Sequence, residues 1–165
     1  MAQKIGFAQA NDAVLQLVGE LLDQMQRSQT DYTQLFRGLG DIQANSKDTH
    51  PELRDMFLQR ERFDRWLHDY REQLRTTSES DAERRKMMMA VNPKYVLRNY
   101  MAQVAIENAE QDQDFSELDR LMQFLQAPFD EHPEKTHYAE PPPDWAGSIQ
   151  VSCSSRINTI KTRST

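Results

Sequence analysis

The sequence has little cysteine, glycine and proline and no long apolar run, and each of these features excludes a class of protein. Its one cysteine, Cys153, rules out a disulfide within these 165 residues. Five glycines and seven prolines, with no useful length of alternating apolar and polar residues, predict an all-α fold. Apolar stretches such as 87–91 are far too short to cross a bilayer, and the first residues lack the apolar segment of a signal peptide. We therefore expect a cytoplasmic protein with no membrane partner.

The composition indicates how large the core can be, and the net charge indicates which partners to expect. Apolar residues make up only 38% of the chain and charged residues 28%, so most helices should face water on one side and the core should be thin. We expect other protein to complete part of that core. The formal net charge of -6 argues against a nucleic-acid partner, because phosphate binding needs concentrated Lys and Arg.

Apolar residues recur every three or four positions in about six segments, which predicts about six amphipathic helices. Asn11 or Asp12 can cap the first helix, and Asp31 can cap the second. Gly40 would end the second helix in the left-handed conformation. Pro51 then opens either one long helix or a pair of helices.

Capping patterns predict the remaining helices. Ser80 and Glu83 have the spacing of a capping box, in which each side chain bonds the backbone amide of the other residue. A further helix is expected from Lys94, directly after the Asn-Pro pair that ends the preceding helix. Ser116 should cap the last helix, which Pro128 closes. Beyond it we expect an extended, proline-rich tail.

No catalytic constellation stands out. The chain has no glycine-rich phosphate loop and no His-Arg-Asp or Asp-Phe-Gly sequence, so it lacks the usual parts for phosphoryl transfer. Residues 130–134 with His137 come nearest to a metal cluster, but an acidic loop containing proline is more typical of solvated surface. The Arg-Arg-Lys run at 84–86 similarly predicts one solvated helix face. We therefore expect no catalytic, cofactor-binding or metal-binding residue in this chain.

One block, residues 92–100, mixes a helix start with polar side chains that need partners. A buried network that holds two helices together is one interpretation of this block, and a binding role is the other. The candidate members of such a structural network are Asn92, Arg98, Asn99, Tyr100 and Trp145.

Several motifs in series resemble the C-terminal part of the selenoprotein O family. The resemblance runs from about Met1 to Ser155, and agreement of several motifs in order is more specific than any one of them alone. The motifs are Asp31-Tyr32-Thr33 with Phe36-Arg37, the block 92–100 with Ala102-Gln103 and Ala105-Ile106-Glu107, Pro128-Phe129, Pro142-Pro143-Asp144-Trp145, and Val151-Ser152-Cys153-Ser154-Ser155.

The resemblance implies a function that this chain would perform only together with further polypeptide. Selenoprotein O proteins have a kinase-like (pseudokinase) fold and are understood to be protein adenylyltransferases, which use ATP and Mg2+ to transfer AMP to Ser, Thr or Tyr hydroxyls of proteins. Their nucleotide-binding and Mg2+-binding residues lie upstream of the part that this chain resembles. The resemblance thus implies that the chain alone binds neither ATP nor Mg2+ and is inactive. Its partners would be the upstream kinase-like part and, in the complete enzyme, protein substrates; eukaryotic relatives would be mitochondrial.

The same resemblance suggests how the chain is organised. Residues 1–127 would form the helical segment, 128–155 an extended docking tail, and 156–165 a disordered extension beyond the family's usual end. Because residues 1–7 resemble an interior piece of the family sequence, we expect a fragment, a split gene or an internal start. The family carries cysteine or selenocysteine at the position of Cys153, which implies redox control or a cross-link to an upstream cysteine. The alternative function is a free-standing helical interaction or redox-regulatory module.

Overall fold

The computed structural model describes residues 1–148, apart from the side chains of 133–135, 147 and 148. This part is all-α, as predicted, with seven α-helices and no strand. The α-helices are α1 (Asp12–Ser28), α2 (Tyr32–Gly38), α3 (Pro51–Arg54), α4 (Arg60–Leu74), α5 (Asp81–Val91), α6 (Asn99–Asp112) and α7 (Ser116–Leu125). Short 3-10 helices span Ala2–Ile5, Leu39–Asp41, Pro133–Ala139 and Asp144–Ser148. Cys153 and the extension 156–165 lie outside the described residues.

Buried apolar side chains fall into two groups. The first cluster runs from Ile5 to Met88 and takes side chains from α1 to α5 and from the N-terminal 3-10 helix. The second cluster consists of Tyr95, Met101, Ala105, Leu121, Phe124 and Tyr138. None of the helices within residues 1–148 combines the length and the apolarity needed to span a bilayer.

Helix α1 starts as predicted, with Asn11 as its N-cap. The Asn11 Oδ1 atom accepts a hydrogen bond from the Val14 amide at 2.9 Å, which satisfies one of the first-turn amides that have no partner within the helix. Gln29, in the left-handed conformation, ends the helix. The face that carries Leu17 and Leu21 is buried, and α1 packs against α4.

Helix α2 has the predicted cap but not the predicted end. Asp31 Oδ1 accepts a hydrogen bond from the Gln34 amide at 2.9 Å. The left-handed stop at Gly40 is wrong, because α2 runs into a 3-10 helix and only Gly6 among the described glycines has a positive φ. Gly40 is buried, and a Cβ there would collide with the end of the Met89 side chain. α5 therefore packs closely on the turn, and a larger residue at this position would have to displace the flexible end of Met89.

Pro51 opens a pair of helices, which is one of the two arrangements that the sequence predicts. α3 is a single turn, and α4 follows after a short break. The rings stacked along α4, with their centroid distances, are Phe57–Phe63 at 4.6 Å, Phe63–Trp66 at 5.8 Å and Trp66–Tyr70 at 4.9 Å. Trp66 Nε1 donates to the Leu17 carbonyl at 2.9 Å, and the Tyr70 hydroxyl donates to the Ile5 carbonyl at 2.8 Å. The rings thus fill the first cluster with their polar ends bonded.

The capping box at the start of α5 is confirmed. Ser80 Oγ accepts a hydrogen bond from the Glu83 amide at 3.3 Å, and the Glu83 carboxylate accepts one from the Ser80 amide at 2.9 Å. The Ser80 hydroxyl also donates to this carboxylate, at 2.7 Å, and the bonds that the carboxylate accepts from the Ser80 hydroxyl and amide hold the pKa of Glu83 below its usual value. The local spacing was therefore sufficient to locate this helix start.

The predicted solvated face at 84–86 is wrong for Arg84, which is buried. Arg84 lies one helical turn before Met88, so the two side chains share the face that points into the first cluster. The guanidinium of Arg84 donates to the Ile42 carbonyl and, at 3.5 Å, to the Tyr70 hydroxyl. Arg84 therefore joins α5 to α4 and to the turn after α2.

The predicted start of α6 at Lys94 is also wrong, because α6 begins at Asn99. The amides of Lys94 and Tyr95 donate to the Pro128 carbonyl, at 2.7 and 3.1 Å. The Tyr95 ring is buried in the second cluster, 5.2 Å from the ring of Phe124. Bonds to the loop after α7 thus outweigh the local signal for a helix start.

The N-cap residue of α7 is Phe115 and not Ser116, which corrects the prediction. Ser116 is the first residue of the helix, and Asp114 accepts hydrogen bonds from its amide at 2.9 Å and from its hydroxyl at 3.2 Å. Beyond Pro128 the described chain has no α-helix, but it forms two 3-10 helices. Tyr138 of this tail packs into the second cluster, 4.5 Å from the ring of Phe124.

Candidate functional site at the junction of the two clusters

Asn92 lies where the two clusters meet and is only 1% exposed. Its Nδ2 atom donates to the carbonyls of Lys4 at 2.9 Å and Phe36 at 3.3 Å. Its Oδ1 accepts a hydrogen bond from Lys4 Nζ at 3.3 Å, and its backbone carbonyl accepts one from Arg37 Nη1 at 3.1 Å. Its amide ends α5 by donating to the Met88 carbonyl at 2.9 Å. Asn92 therefore joins α5, α2 and the N-terminal 3-10 helix.

An ion pair joins the start of α6 to the start of α2. Arg98 Nη1 lies 2.7 Å from Asp31 Oδ2, and both side chains are mostly buried. The other Asp31 oxygen caps α2, so one carboxylate serves both the helix and the ion pair. The Arg98 carbonyl accepts a hydrogen bond from the Met101 amide at 3.0 Å, with Arg98 as the N-cap residue of α6. Loss of either partner would leave a mostly buried charge unpaired.

Glu131 ties the tail to the rest of the junction. Its two carboxylate oxygens accept hydrogen bonds from Arg37 Nη2 and from Lys94 Nζ. Arg37 also donates to the Phe129 carbonyl at 3.4 Å. The hydrogen bond from Lys94, with the positive charges of Lys94 and Arg37 nearby, holds the pKa of Glu131 below its usual value. At neutral pH Glu131 is therefore ionised and both bonds are in place.

Arg37, Lys94 and Glu131 line a groove of about 290 Å³ together with Asp41, Arg85 and Met89. Arg85 Nε lies 2.7 Å from Asp41 Oδ1. Arg37 and Lys94 share the Glu131 carboxylate, and Arg85 is paired with Asp41, so a phosphate group would compete with these two carboxylates for the three cations. The arrangement is suited to holding segments of the chain together.

The structure brings together some of the candidate network residues and separates others. Asn92 and Arg98 lie at the junction. Tyr100 packs edge-to-face on Trp145, with ring centroids 5.7 Å apart and planes at 83°, and burial raises the pKa of the Tyr100 hydroxyl. Asn99 is exposed at the first position of α6.

Sequence reasoning missed the partners that complete the junction. The sequence indicates Asp31 as a helix cap and as part of a motif, Arg37 only as part of the same motif, and Glu131 only as part of a solvated acidic loop. Their common position depends on three distant segments meeting, so no local spacing signals it. For the loop of 130–134 with His137, the part of the chain that the structure describes contains no group of side chains that could hold a metal ion.

Known proteins resemble this chain over most of its length. A family model described as protein adenylyltransferase SelO matches residues 1–126. The protein nucleotidyltransferase YdiU of Burkholderia multivorans is 46% identical over 155 residues, which cover 94% of this chain and 30% of that protein. The protein of the same name from Thioalkalivibrio sulfidiphilus is 50% identical over 155 residues, which cover 94% of this chain and 31% of that protein. The chain thus spans about 30% of the length of these curated relatives.

Proposed function

This chain belongs to the SelO family of protein adenylyltransferases, and we propose that it is the C-terminal helical segment of such an enzyme. The complete enzyme transfers AMP from ATP to Ser, Thr or Tyr hydroxyls of cytoplasmic protein substrates. The upstream kinase-like part binds ATP and Mg2+, and this segment alone is inactive. One observation carries the proposal: the family match covers residues 1–126, whereas the chain spans only about 30% of the length of its relatives.

The geometry of the junction supports a structural role for this segment. Arg98 is paired with Asp31, whereas Lys94 shares Glu131 with Arg37, so these cations are engaged with carboxylates of the chain itself. Residues 1–127 act as the helical segment, and 128–155 act as a tail that docks on it. For Cys153, redox control or a cross-link to an upstream cysteine remains a prediction from the family resemblance.

Reconstitution tests the proposal. This chain is mixed with the upstream part of the Burkholderia multivorans relative, which is that protein without the region that this chain matches. With Mg2+ and ATP labelled at the α-phosphate, we expect label on protein only when both polypeptides are present. No transfer by the mixture, although the two polypeptides bind each other, would refute the proposed function. Micromolar binding of Mg-ATP to this chain alone, measured by isothermal titration, would refute the assignment of the nucleotide site to the upstream part.

The closed first cluster favours a second candidate, a free-standing helical interaction or redox-regulatory module. Trp66 and Tyr70 are buried there with their polar atoms bonded, which is typical of a core that needs no other protein. Calorimetry of the isolated chain separates the two candidates in part. A cooperative unfolding transition supports independent folding, whereas a broad profile with exposed apolar surface means that the core is completed elsewhere. AMP transfer by the upstream part in the absence of this chain would favour the second candidate.

A further inference from the structure

The second cluster leaves a row of large apolar side chains in solvent. Phe115, Leu118 and Met122 are 56%, 45% and 53% exposed, whereas Leu121 and Phe124 of the same helix are buried. Leu118 and Met122 lie four residues apart on one side of α7, and Phe115 is the N-cap residue of that helix, three residues before Leu118. We call these three residues the α7 row. A continuous apolar row of this kind marks an interaction surface more often than single exposed apolar residues do.

Helix α6, which packs against α7, also has fewer buried residues than its number of apolar residues would lead us to expect. Its apolar residues are Met101, Ala102, Val104, Ala105, Ile106 and Ala109. Only Met101 and Ala105 are buried, and Ile106 is 51% exposed. Apolar residues that spread beyond one stripe of a helix favour cover by protein on more than one side. The second cluster therefore has the composition of a core of which one part is absent from the described chain.

The surroundings of the α7 row are strongly acidic. The acidic residues from the second half of α6 through the first turn of α7 are Glu107, Glu110, Asp112, Asp114, Glu117 and Asp119. The next cation, Arg120, is already paired with Glu117 at 3.1 Å. A surface that complements this region would be apolar at its centre and basic at its rim.

The relatives contain polypeptide beyond the matched region, which supplies a candidate to cover this surface. The family match ends at residue 126, directly after α7, and about two thirds of each relative's polypeptide lies outside the matched region. We propose that the α7 row is the docking surface for the upstream kinase-like part of the enzyme, which covers it with an apolar groove rimmed by Lys and Arg. This inference rests on the proposed function for the identity of the partner. A second copy of this chain fits poorly, because symmetric pairing would bring two acidic rims together.

The test replaces two residues of the row by glutamate. Leu118→Glu with Met122→Glu introduces two charges that solvent accepts in the free chain and that an apolar groove would reject. The matched control is Leu15→Glu with Leu58→Glu, because these leucines are 55% and 79% exposed elsewhere on the described surface. Affinity for the upstream part of the Burkholderia multivorans relative is measured by isothermal titration. We expect at least a tenfold loss for the row variant, a change of less than about twofold for the control, and weaker binding of the unmodified chain as salt is raised.

Circular dichroism first checks that the row variant keeps its helical content. If it does not, Leu118→Gln with Met122→Gln replaces it, since glutamine has about the same helix propensity as glutamate and adds no charge to this acidic region. Unchanged affinity of the row variant, an equal loss in the control, or no binding by the unmodified chain would overturn the docking surface. A dimer of the unmodified chain that the row variant disrupts, seen by sedimentation velocity, would assign the row to a second copy.

The docking surface and the proposed function can fail separately. If the unmodified pair binds through the row but transfers no AMP, the function is wrong and the docking surface stands. If the pair transfers AMP and the row variant binds and transfers as well as the unmodified chain, the docking surface is wrong and the function stands.

Discussion

Replacement of Asn92 by alanine is the most direct test of the junction. The Asn92 side chain makes hydrogen bonds to the Lys4 and Phe36 carbonyls and to Lys4 Nζ. The bond to the Phe36 carbonyl is buried, so its loss leaves a desolvated acceptor without a partner, which costs about 1–3 kcal/mol. The bonds to Lys4 are partly exposed, and Lys4 Nζ keeps its bond to the Val91 carbonyl at 2.9 Å, so their loss adds less. We expect a total decrease in unfolding free energy of about 2–4 kcal/mol.

Urea unfolding of the chain, followed by circular dichroism, measures this loss. We expect the urea midpoint to fall while the dependence of the unfolding free energy on urea concentration stays unchanged. A loss of this size is a large part of the roughly 5–15 kcal/mol of unfolding free energy that is typical of a domain. In thermal unfolding it corresponds to a decrease of about 5–15 °C in Tm. Asn99→Ala is the matched control, because Asn99 is exposed and belongs to the same block of sequence. It should change the unfolding free energy by less than about 0.5 kcal/mol.

Asn92→Asp separates hydrogen bonding from packing. The carboxylate keeps the volume of the side chain and can accept the bond from Lys4 Nζ, but it cannot donate to the carbonyls of Lys4 and Phe36. We therefore expect it to destabilise the chain at neutral pH at least as much as alanine does. An effect of Asn92→Ala as small as that of Asn99→Ala would refute the role of Asn92 in joining the three elements.

Three further predictions test separate features of the fold. The lowered pKa of Glu131 means that its contribution is complete above the usual value of 4.5 and is lost as the pH falls through the lower folded-state pKa. Hydrogen exchange in 128–140, corrected for intrinsic rates, should therefore increase at acidic pH, and Glu131→Gln should raise it at neutral pH and remove this dependence. Gly6→Ala should destabilise the chain by about 1–3 kcal/mol in urea unfolding, because Gly6 has a φ of 89° that alanine rarely adopts. Gly19→Ala, in open space within α1, should instead stabilise the chain by about 0.5–1 kcal/mol. Effects of the same sign would contradict this prediction. Burial raises the pKa of both Tyr70 and Tyr138 to about 12, so absorbance titration should show these hydroxyls ionising only above the usual range near 10, and Tyr70→Phe should reduce the amplitude of that late step.

The starts of several helices could be predicted because their caps act over three residues. Asn11 bonds the amide of Val14, Asp31 bonds that of Gln34, and Ser80 forms its capping box within the same distance along the chain. Such bonds depend on local sequence, so their spacing alone locates them.

The errors concern residues whose conformation depends on distant partners. Lys94 follows a helix-start signal, yet its amide bonds the carbonyl of Pro128 and the helix begins later. Arg84 belongs to a charged run, yet the carbonyl of Ile42 accepts a bond from its guanidinium inside the first cluster. The candidate site follows the same rule. Asn92 could be selected as a polar residue beside a proline, but Glu131 could be placed near it only once the tail was positioned.

The junction links the stability of the first cluster to the orientation of the proposed docking surface. Arg98 is the N-cap residue of α6, and α6 packs against α7, so the ion pair with Asp31 helps to fix where the α7 row lies relative to α2. A partner that covers the α7 row would favour the arrangement in which this ion pair is formed. Because such linkage is reciprocal, loss of the pair should weaken docking even though neither residue belongs to the row. The paired charges at the junction would then serve the enzyme by presenting α7 in one orientation.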